Sequence, residues 1–145
     1  MKLNELRIGN LTSRLPIVQG GMGVGISMAG LASAVANEGG IGVISAAIPG
    51  IHEPDFATNS ARANIRALRN EIRKARKMTD GVLGVNVMVA LTDFNAMVRT
   101  SIEEGIDIIF SGAGLPLDLP GYLVEKAKTK LVPIVSSARA AKIIC

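Results

Sequence analysis

The chain has 145 residues, of which 48% are hydrophobic, and its formal net charge is +4. This composition supports a buried core and argues against an intrinsically disordered chain. With three Phe, one Tyr and no Trp, the chain lacks the stacking platforms of single-stranded nucleic-acid binding proteins, so we expect no nucleic-acid partner.

The sequence also lacks the marks of a secreted or membrane-inserted protein. The first ten residues contain no apolar signal-peptide core, and no run approaches the ~20 apolar residues of a membrane span. Cys145 is the only cysteine, so an internal disulfide is impossible and a nucleophilic role without a histidine partner is not expected. We therefore expect a cytoplasmic protein without a membrane partner.

The stretch LPIVQGGMGVGIS (residues 15–27) begins with the first apolar run, residues 15–18, and continues into a glycine-rich segment. Its glycines do not have the i, i+2, i+5 spacing of a dinucleotide-binding loop, and no Gly-Lys-Ser/Thr triplet of a P-loop occurs. Glycines without Cβ let the backbone lie flat against a planar ligand and aim N–H donors at it. The alternative is a tight turn into a helix that has Ser27 as its N-cap.

Further short apolar runs alternate with helical patterns along the rest of the chain. The runs are residues 41–44, 82–89, 106–110 and 131–135, and the apolar spacing predicts helices within 28–35, 61–77 and 94–102. Buried strands that alternate with amphipathic helices indicate a parallel sheet covered by helices. No linker divides the chain, so we expect one α/β domain over residues 1–145.

Small or polar residues occur where the predicted strands end, namely Gln19, Ser45, Ser111 and Ser136, and Asn86 lies inside the longer run 82–89. In parallel α/β folds the carboxyl ends of the strands face the ligand, which favours a binding role for these residues. Ordinary turn and cap chemistry is the alternative explanation.

Two charged features have a structural and a functional interpretation. Residues 62–77 contain seven Lys or Arg and only one acidic residue, Glu71, which suits either a solvated helix face or a docking face for an acidic partner. His52, the only histidine, lies beside Glu53 and Asp55 in a proline-containing loop. It is either an exposed loop residue or a general base, and the spacing matches no established metal site.

Four ordered motifs resemble one protein family: LPIVQGGMGVGIS, LASAVANEGGIGVIS, GVNVMVALTDF and IIFSGAGLP. Together they are similar to the nitronate monooxygenase family, also called 2-nitropropane dioxygenase-like proteins, which are FMN-dependent TIM (β/α)8 barrels. Flavin-type enoyl-acyl-carrier-protein reductases share the same landmarks. The methionines Met28, Met88 and Met97 are interpreted as core fillers, whereas Met22 lies inside the glycine segment.

The resemblance implies a cofactor, an activity and a set of binding residues. FMN would be contacted by Gly20, Gly21, Met22, Gly23, Asn86, Ser111, Gly112 and Ser136. The implied reaction is oxidation of a small alkyl nitronate by dioxygen; the alternative is enoyl-thioester reduction, in which the basic helix would bind an acidic carrier protein. Some relatives have a lysine at the end of the fifth strand, where this chain has Ser136.

The resemblance also predicts how much of a barrel is present. The pattern corresponds to about the first five of eight β/α units, and the family's histidine and flavin-phosphate loops are expected beyond residue 145. A third possibility is therefore a non-catalytic fragment that needs a partner, with self-association through an unpaired strand edge.

Overall fold

The computed structural model describes residues 3–123 and 127–144. In chain order the elements are β1 (Leu6–Ile8), β2 (Leu11–Ser13), α1 (Ala29–Asn37), β3 (Gly42–Ser45), α2 (Ser60–Met78), β4 (Leu83–Met88), α3 (Phe94–Glu103), β5 (Ile108–Gly112), a 3-10 turn (Leu119–Tyr122), β6 (Lys130–Pro133) and α4 (Ala138–Ile144). No helix in the described ranges is both long and apolar enough to cross a bilayer.

The predicted alternation of strands and helices is confirmed. β3, β4, β5 and β6 form a parallel sheet in that order, with Ser45 beside Asn86 and Asn86 beside Phe110. Parallel order requires a crossover between successive strands, which α2, α3 and the segment before β6 provide. The register brings the polar strand ends to one edge of the sheet.

The first predicted strand, residues 15–18, is present only in rudimentary form. It runs parallel to β3 and forms a single bridge, Val18 to Ile41, with Ile41 N–H donating to the Ile17 carbonyl at 2.9 Å. The side chain of Gln19 continues the ladder: its amide donates to the Val43 carbonyl at 3.0 Å and accepts from Val43 N–H at 3.2 Å. Gln19, interpreted from sequence as a ligand contact, therefore has its amide engaged by β3.

An amino-terminal hairpin was not predicted. β1 and β2 pair antiparallel around Gly9, whose φ is +60°. A Gly-Asn pair between short alternating runs is a recognised hairpin signal, and Gly9-Asn10 supplied it. Leu6, Ile8 and Leu11 pack on the inner face of the sheet.

The sheet has two apolar faces, which explains its continuous hydrophobic runs. The inner face carries Ile41, Val43, Ile108 and Phe110. The outer face packs against the helices, and its larger cluster includes Ile44, Val85, Val87 and Ile109 from the strands and Leu68, Ile72 and Met97 from the helices. Met97 is fully buried, as expected of a core methionine.

The start of α1 is capped from a distance. Ser27 is not its N-cap, so the alternative explanation of the glycine segment is wrong on this point: Met28 occupies that position and offers no side-chain hydrogen bond. Instead, the Glu71 carboxylate on α2 accepts from Ala29 N–H at 2.7 Å. A carboxylate at a helix amino terminus satisfies an orphan donor and complements the helix dipole.

Acidic residues of the same chain neutralise much of the basic face of α2. Arg66 pairs with Glu53 and Asp55. Arg69 pairs with Glu103 and Glu104, Arg73 with Glu104, and Arg76 with Asp107. Among the ion pairs of the described residues, none involves the three other cations of this face, Arg62, Lys74 and Lys77.

The cap on α1 yields a stability prediction. Glu71→Ala should lower the free energy of unfolding by about 1–2 kcal/mol, because it removes a charge-assisted bond to a helix terminus. Urea denaturation measures the change. Glu5→Ala is the control, since the exposed pair of Glu5 with Arg7 should be worth less than about 0.5 kcal/mol. Equal losses in both variants would contradict the capping role.

The ion pair on the 46–59 loop yields a pH prediction. The hydrogen bond from Arg66 holds the pKa of the Asp55 carboxyl below its ordinary value of 3.8. The stabilisation is therefore fully present above pH 3.8 and is lost as the pH falls through the lowered pKa. Carbon-detected NMR should show Asp55 titrating below this ordinary value, together with the loop amides. In Arg66→Gln the Asp55 midpoint should return toward 3.8; an unchanged midpoint would contradict the assignment.

Candidate functional site

The glycine segment, residues 20–27, is folded around the hydroxyl of Ser27. This Oγ accepts from Met22 N–H at 3.0 Å and donates to the Gly20 carbonyl at 3.3 Å, while Ser27 N–H donates to the Met22 carbonyl at 2.9 Å. Ser27 is 1% exposed. Its role is to hold the segment in shape, which the helix-cap interpretation had missed.

Two glycines of the segment are required by close packing on the neighbouring strand ends. A Cβ added to Gly21 would lie 2.6 Å from Asn86 Cβ, and one added to Gly23 would lie 2.8 Å from Ala47 Cβ. Real Cβ atoms do not approach this closely, so a side chain at either position would force the segment away from β3 and β4. The carboxyl ends of the first three parallel segments are thereby joined into one surface.

The same segment leaves backbone donors without partners. In the described part of the chain, the N–H groups of Gly20, Gly21, Gly23 and Gly25 have no acceptor, whereas those of Met22 and Val24 are bonded to Ser27 and Ala47. A Cβ added to Gly20 would meet no atom within 4 Å. Packing therefore does not explain Gly20, and its surface is open to a ligand.

Asn86 lies directly beside this surface. Its side chain is on the inner face of the sheet, where the Cβ position of Gly21 is 3.2 Å from Asn86 Oδ1. Within the described residues its amide makes one long hydrogen bond, 3.5 Å to the Phe110 carbonyl. The amide is thus positioned at the glycine segment with little to hold it there within the protein.

Ser111 and Gly112, at the end of β5, lie on opposite faces of the sheet. Ser111 alternates with Phe110 and so lies on the same outer, helix-facing side as Ile109. Its Oγ is buried and has no hydrogen-bond partner among the described residues. Contact between Ser111 and a ligand on the inner face would therefore have to use its backbone, whereas Gly112 is on the inner side, close to Ile134.

Ser136 lies in a different cleft from the glycine segment. It lines a space of about 460 Å³ together with residues 113–115 and 134–135 and Ala140. The structure thus brings the glycine segment and Asn86 together, with Gly21 against the Asn86 side chain, and it places Gly112 and Ser136 further along the same strand-end edge.

The remaining candidates have different surroundings. Met22 is 65% exposed at the surface of the glycine segment. His52 is exposed, and a Cβ added to Gly25 would lie 3.4 Å from its Nε2, so this loop histidine adjoins the segment. Cys145 is outside the described residues. No cluster of potential metal ligands occurs in the described ranges.

The donors of this surface match the ring of a flavin. An isoalloxazine ring presents nitrogen and oxygen acceptors along one edge, and unpaired backbone N–H groups are the matching donors. The open side of Gly20, the unpaired N–H groups of Gly20, Gly21 and Gly23, and the Asn86 amide are suited to such a ring. The described residues therefore fit the ring portion of the cofactor.

Comparison with known proteins gives relatives of several activities. FabK from Thermotoga maritima is 30% identical, with a TM-score of 0.68 over 89% of this chain and 36% of that chain. A nitroalkane oxidase from Streptomyces ansochromogenes is 19% identical, with a TM-score of 0.72 over 91% and 43%; at this identity it supports the fold alone. A curated relative from Mycobacterium tuberculosis, (3aS,4S,5R,7aS)-5-hydroxy-7a-methyl-1-oxo-octahydro-1H-indene-4-carboxyl-CoA dehydrogenase, is 30% identical over 127 residues.

That alignment includes 88% of this chain but only 30% of the length of the Mycobacterium protein. The structure accordingly contains part of a TIM barrel, with the parallel strand order that such a barrel requires. A model of one family, described as nitronate monooxygenase, matches residues 4–145. On this match, which spans all four motifs, the chain belongs to the nitronate monooxygenase family of flavin-dependent oxidoreductases.

Proposed function

We propose that this chain forms the ring-binding side of an FMN site in an oxidoreductase that oxidises small alkyl nitronates with dioxygen. The observation that carries the proposal is the glycine segment packed against Asn86, with the N–H donors of Gly20, Gly21 and Gly23 unpaired and an open face at Gly20. FMN, when bound, supplies the two-electron chemistry between substrate and dioxygen.

The contributions of the protein follow from its geometry. The N–H groups of Gly20, Gly21 and Gly23 would orient the ring and stabilise negative charge on its acceptor edge. Asn86, on β4, would fix the position of the ring from the inner face of the sheet. Ser27 holds the donors in place before the ligand arrives, which reduces the ordering that binding requires.

Substitution at Gly20 tests the proposal. Gly20→Val adds a side chain where the protein has no atom within 4 Å, so the fold should be retained while the ring is displaced. We expect FMN affinity to fall by at least about tenfold, comparable with the cost of overpacking a tight contact. Quenching of FMN fluorescence measures affinity, and thermal unfolding checks the fold.

Gly30→Val is the matched control, because a Cβ at Gly30 also meets nothing within 4 Å but lies on α1. This variant should bind FMN as the unmodified chain does. Equal affinities in Gly20→Val and Gly30→Val, or no FMN binding by the unmodified chain, would contradict the proposed site.

Reduction of an enoyl thioester is the second candidate function. It is favoured by the relative named as a carboxyl-CoA dehydrogenase, which shares 30% identity, against 19% for the nitroalkane oxidase. In this case the unpaired cations of α2 would bind an acidic carrier protein. Arg66, Arg69 and Arg73 are unsuitable for testing this, because each holds an acidic residue of the same chain.

A charge-reversal variant of Arg62, Lys74 and Lys77 tests carrier binding without breaking internal ion pairs. If the second candidate is correct, the chain should bind an acyl carrier protein, and reversal of three charges should weaken binding by about tenfold or more at low salt. Surface plasmon resonance at two salt concentrations measures the affinity for the carrier protein. Arg7→Glu, on the amino-terminal hairpin, is the control; binding insensitive to both salt and α2 charge would count against the reductase.

A further inference from the structure

Two β-branched residues adopt a backbone conformation that such residues avoid. Val24 and Ile48 both have φ of +54°, in the left-handed region where a branched Cβ is crowded by the backbone. Most other positions with positive φ in the described residues are glycines: Gly9, Gly25, Gly39, Gly105 and Gly114. Glycine would adopt the same conformation at 24 and 48 without strain.

The contribution of these side chains to the core does not explain why they are present. Val24 is 52% exposed and Ile48 is 37% exposed, so neither fills the interior. Strained residues that the fold itself does not need are concentrated at ligand sites. The position of the two exposed side chains relative to the proposed site is therefore informative.

Both residues lie at the rim of the proposed FMN site. Val24 N–H donates to the Ala47 carbonyl at 2.9 Å, which places Val24 next to the residue that precedes Ile48. Val24 follows Gly23 directly, and Ile48 follows Ala47, the residue against which Gly23 packs. Residues 20–28 and 45–51 contain no charged side chain, so this part of the rim presents apolar groups, with Met22 exposed beside them.

We propose that Val24 and Ile48 form an apolar rim that binds the unbranched alkyl chain of the substrate and thereby determines its preferred length. The inference rests on the proposed function, since the reacting group would lie over the donors at Gly20–Gly23 while the chain extends across the rim. An uncharged rim matches a chain of methylene groups, which gain from leaving water and require no hydrogen bonds.

Binding of two probes of different length tests the rim. Nitroethane and 1-nitrohexane, each converted to its nitronate anion with base beforehand, are titrated into the methyl-labelled 145-residue chain, with and without FMN, and the spectra are followed by NMR. Each methylene that leaves water strengthens binding by about fourfold, so we expect 1-nitrohexane to bind at least about tenfold more tightly. The methyl signals of Val24 and Ile48 should shift with 1-nitrohexane.

The double variant Val24→Gly/Ile48→Gly should lose the difference between the two probes and retain its affinity for nitroethane. Ala113→Gly, at the third strained non-glycine position, and Leu31→Ala, an exposed apolar residue on α1, are controls that should keep the difference. A chain-length effect that persists in the double variant, or an absence of shifts at Val24 and Ile48 in the unmodified chain, would overturn the inference.

The two proposals fail separately in this experiment. If the unmodified chain does not bind FMN but still binds the longer probe more tightly, the flavin site is rejected and the rim is kept. FMN binding without any chain-length effect would reject the rim and keep the flavin site.

Discussion

The close approach of the glycine segment to the ends of β3 and β4 is the constraint on which the site depends. Gly21 and Gly23 have no room for a side chain against Asn86 and Ala47, so the segment can cross the strand ends only as nearly bare backbone. The hydroxyl of Ser27 then fixes its path. Because the segment's contacts engage only some of its N–H groups, the others remain available as donors.

Strand and helix positions were largely predictable because continuous apolar runs and the 3.6-residue period report burial directly. The predicted run 82–89 contains β4, and the predicted helix 61–77 lies within α2. The first run forms only one bridge, to Ile41, and beyond it the side chain of Gln19, instead of the main chain, bonds to Val43. The hairpin around Gly9 was overlooked although its turn residues signalled it.

The site was less predictable than the fold, because contacts between distant residues decide it. Nothing local to Glu71 indicates that it caps a helix 42 residues earlier in the chain. In the sequence the arginines of α2 suggest a docking face, but in the folded chain they pair with Glu103, Glu104 and Asp107. Ser111 lies near the end of its strand, as Asn86 does, yet alternation turns its side chain toward the helices. Sequence order locates a strand end, but the face that a side chain occupies depends on register.

The central claim is that the free N–H groups of the glycine segment bind the flavin ring. The most direct measurement is an amide NMR titration of the 145-residue chain with FMN. The claim predicts large shifts at Gly20, Gly21 and Gly23, smaller ones at Met22, whose N–H is already bonded to Ser27, and none at Gly30 or Gly105. Shifts confined to the cleft around Ser136, or spread over glycines remote from the strand ends, would contradict it.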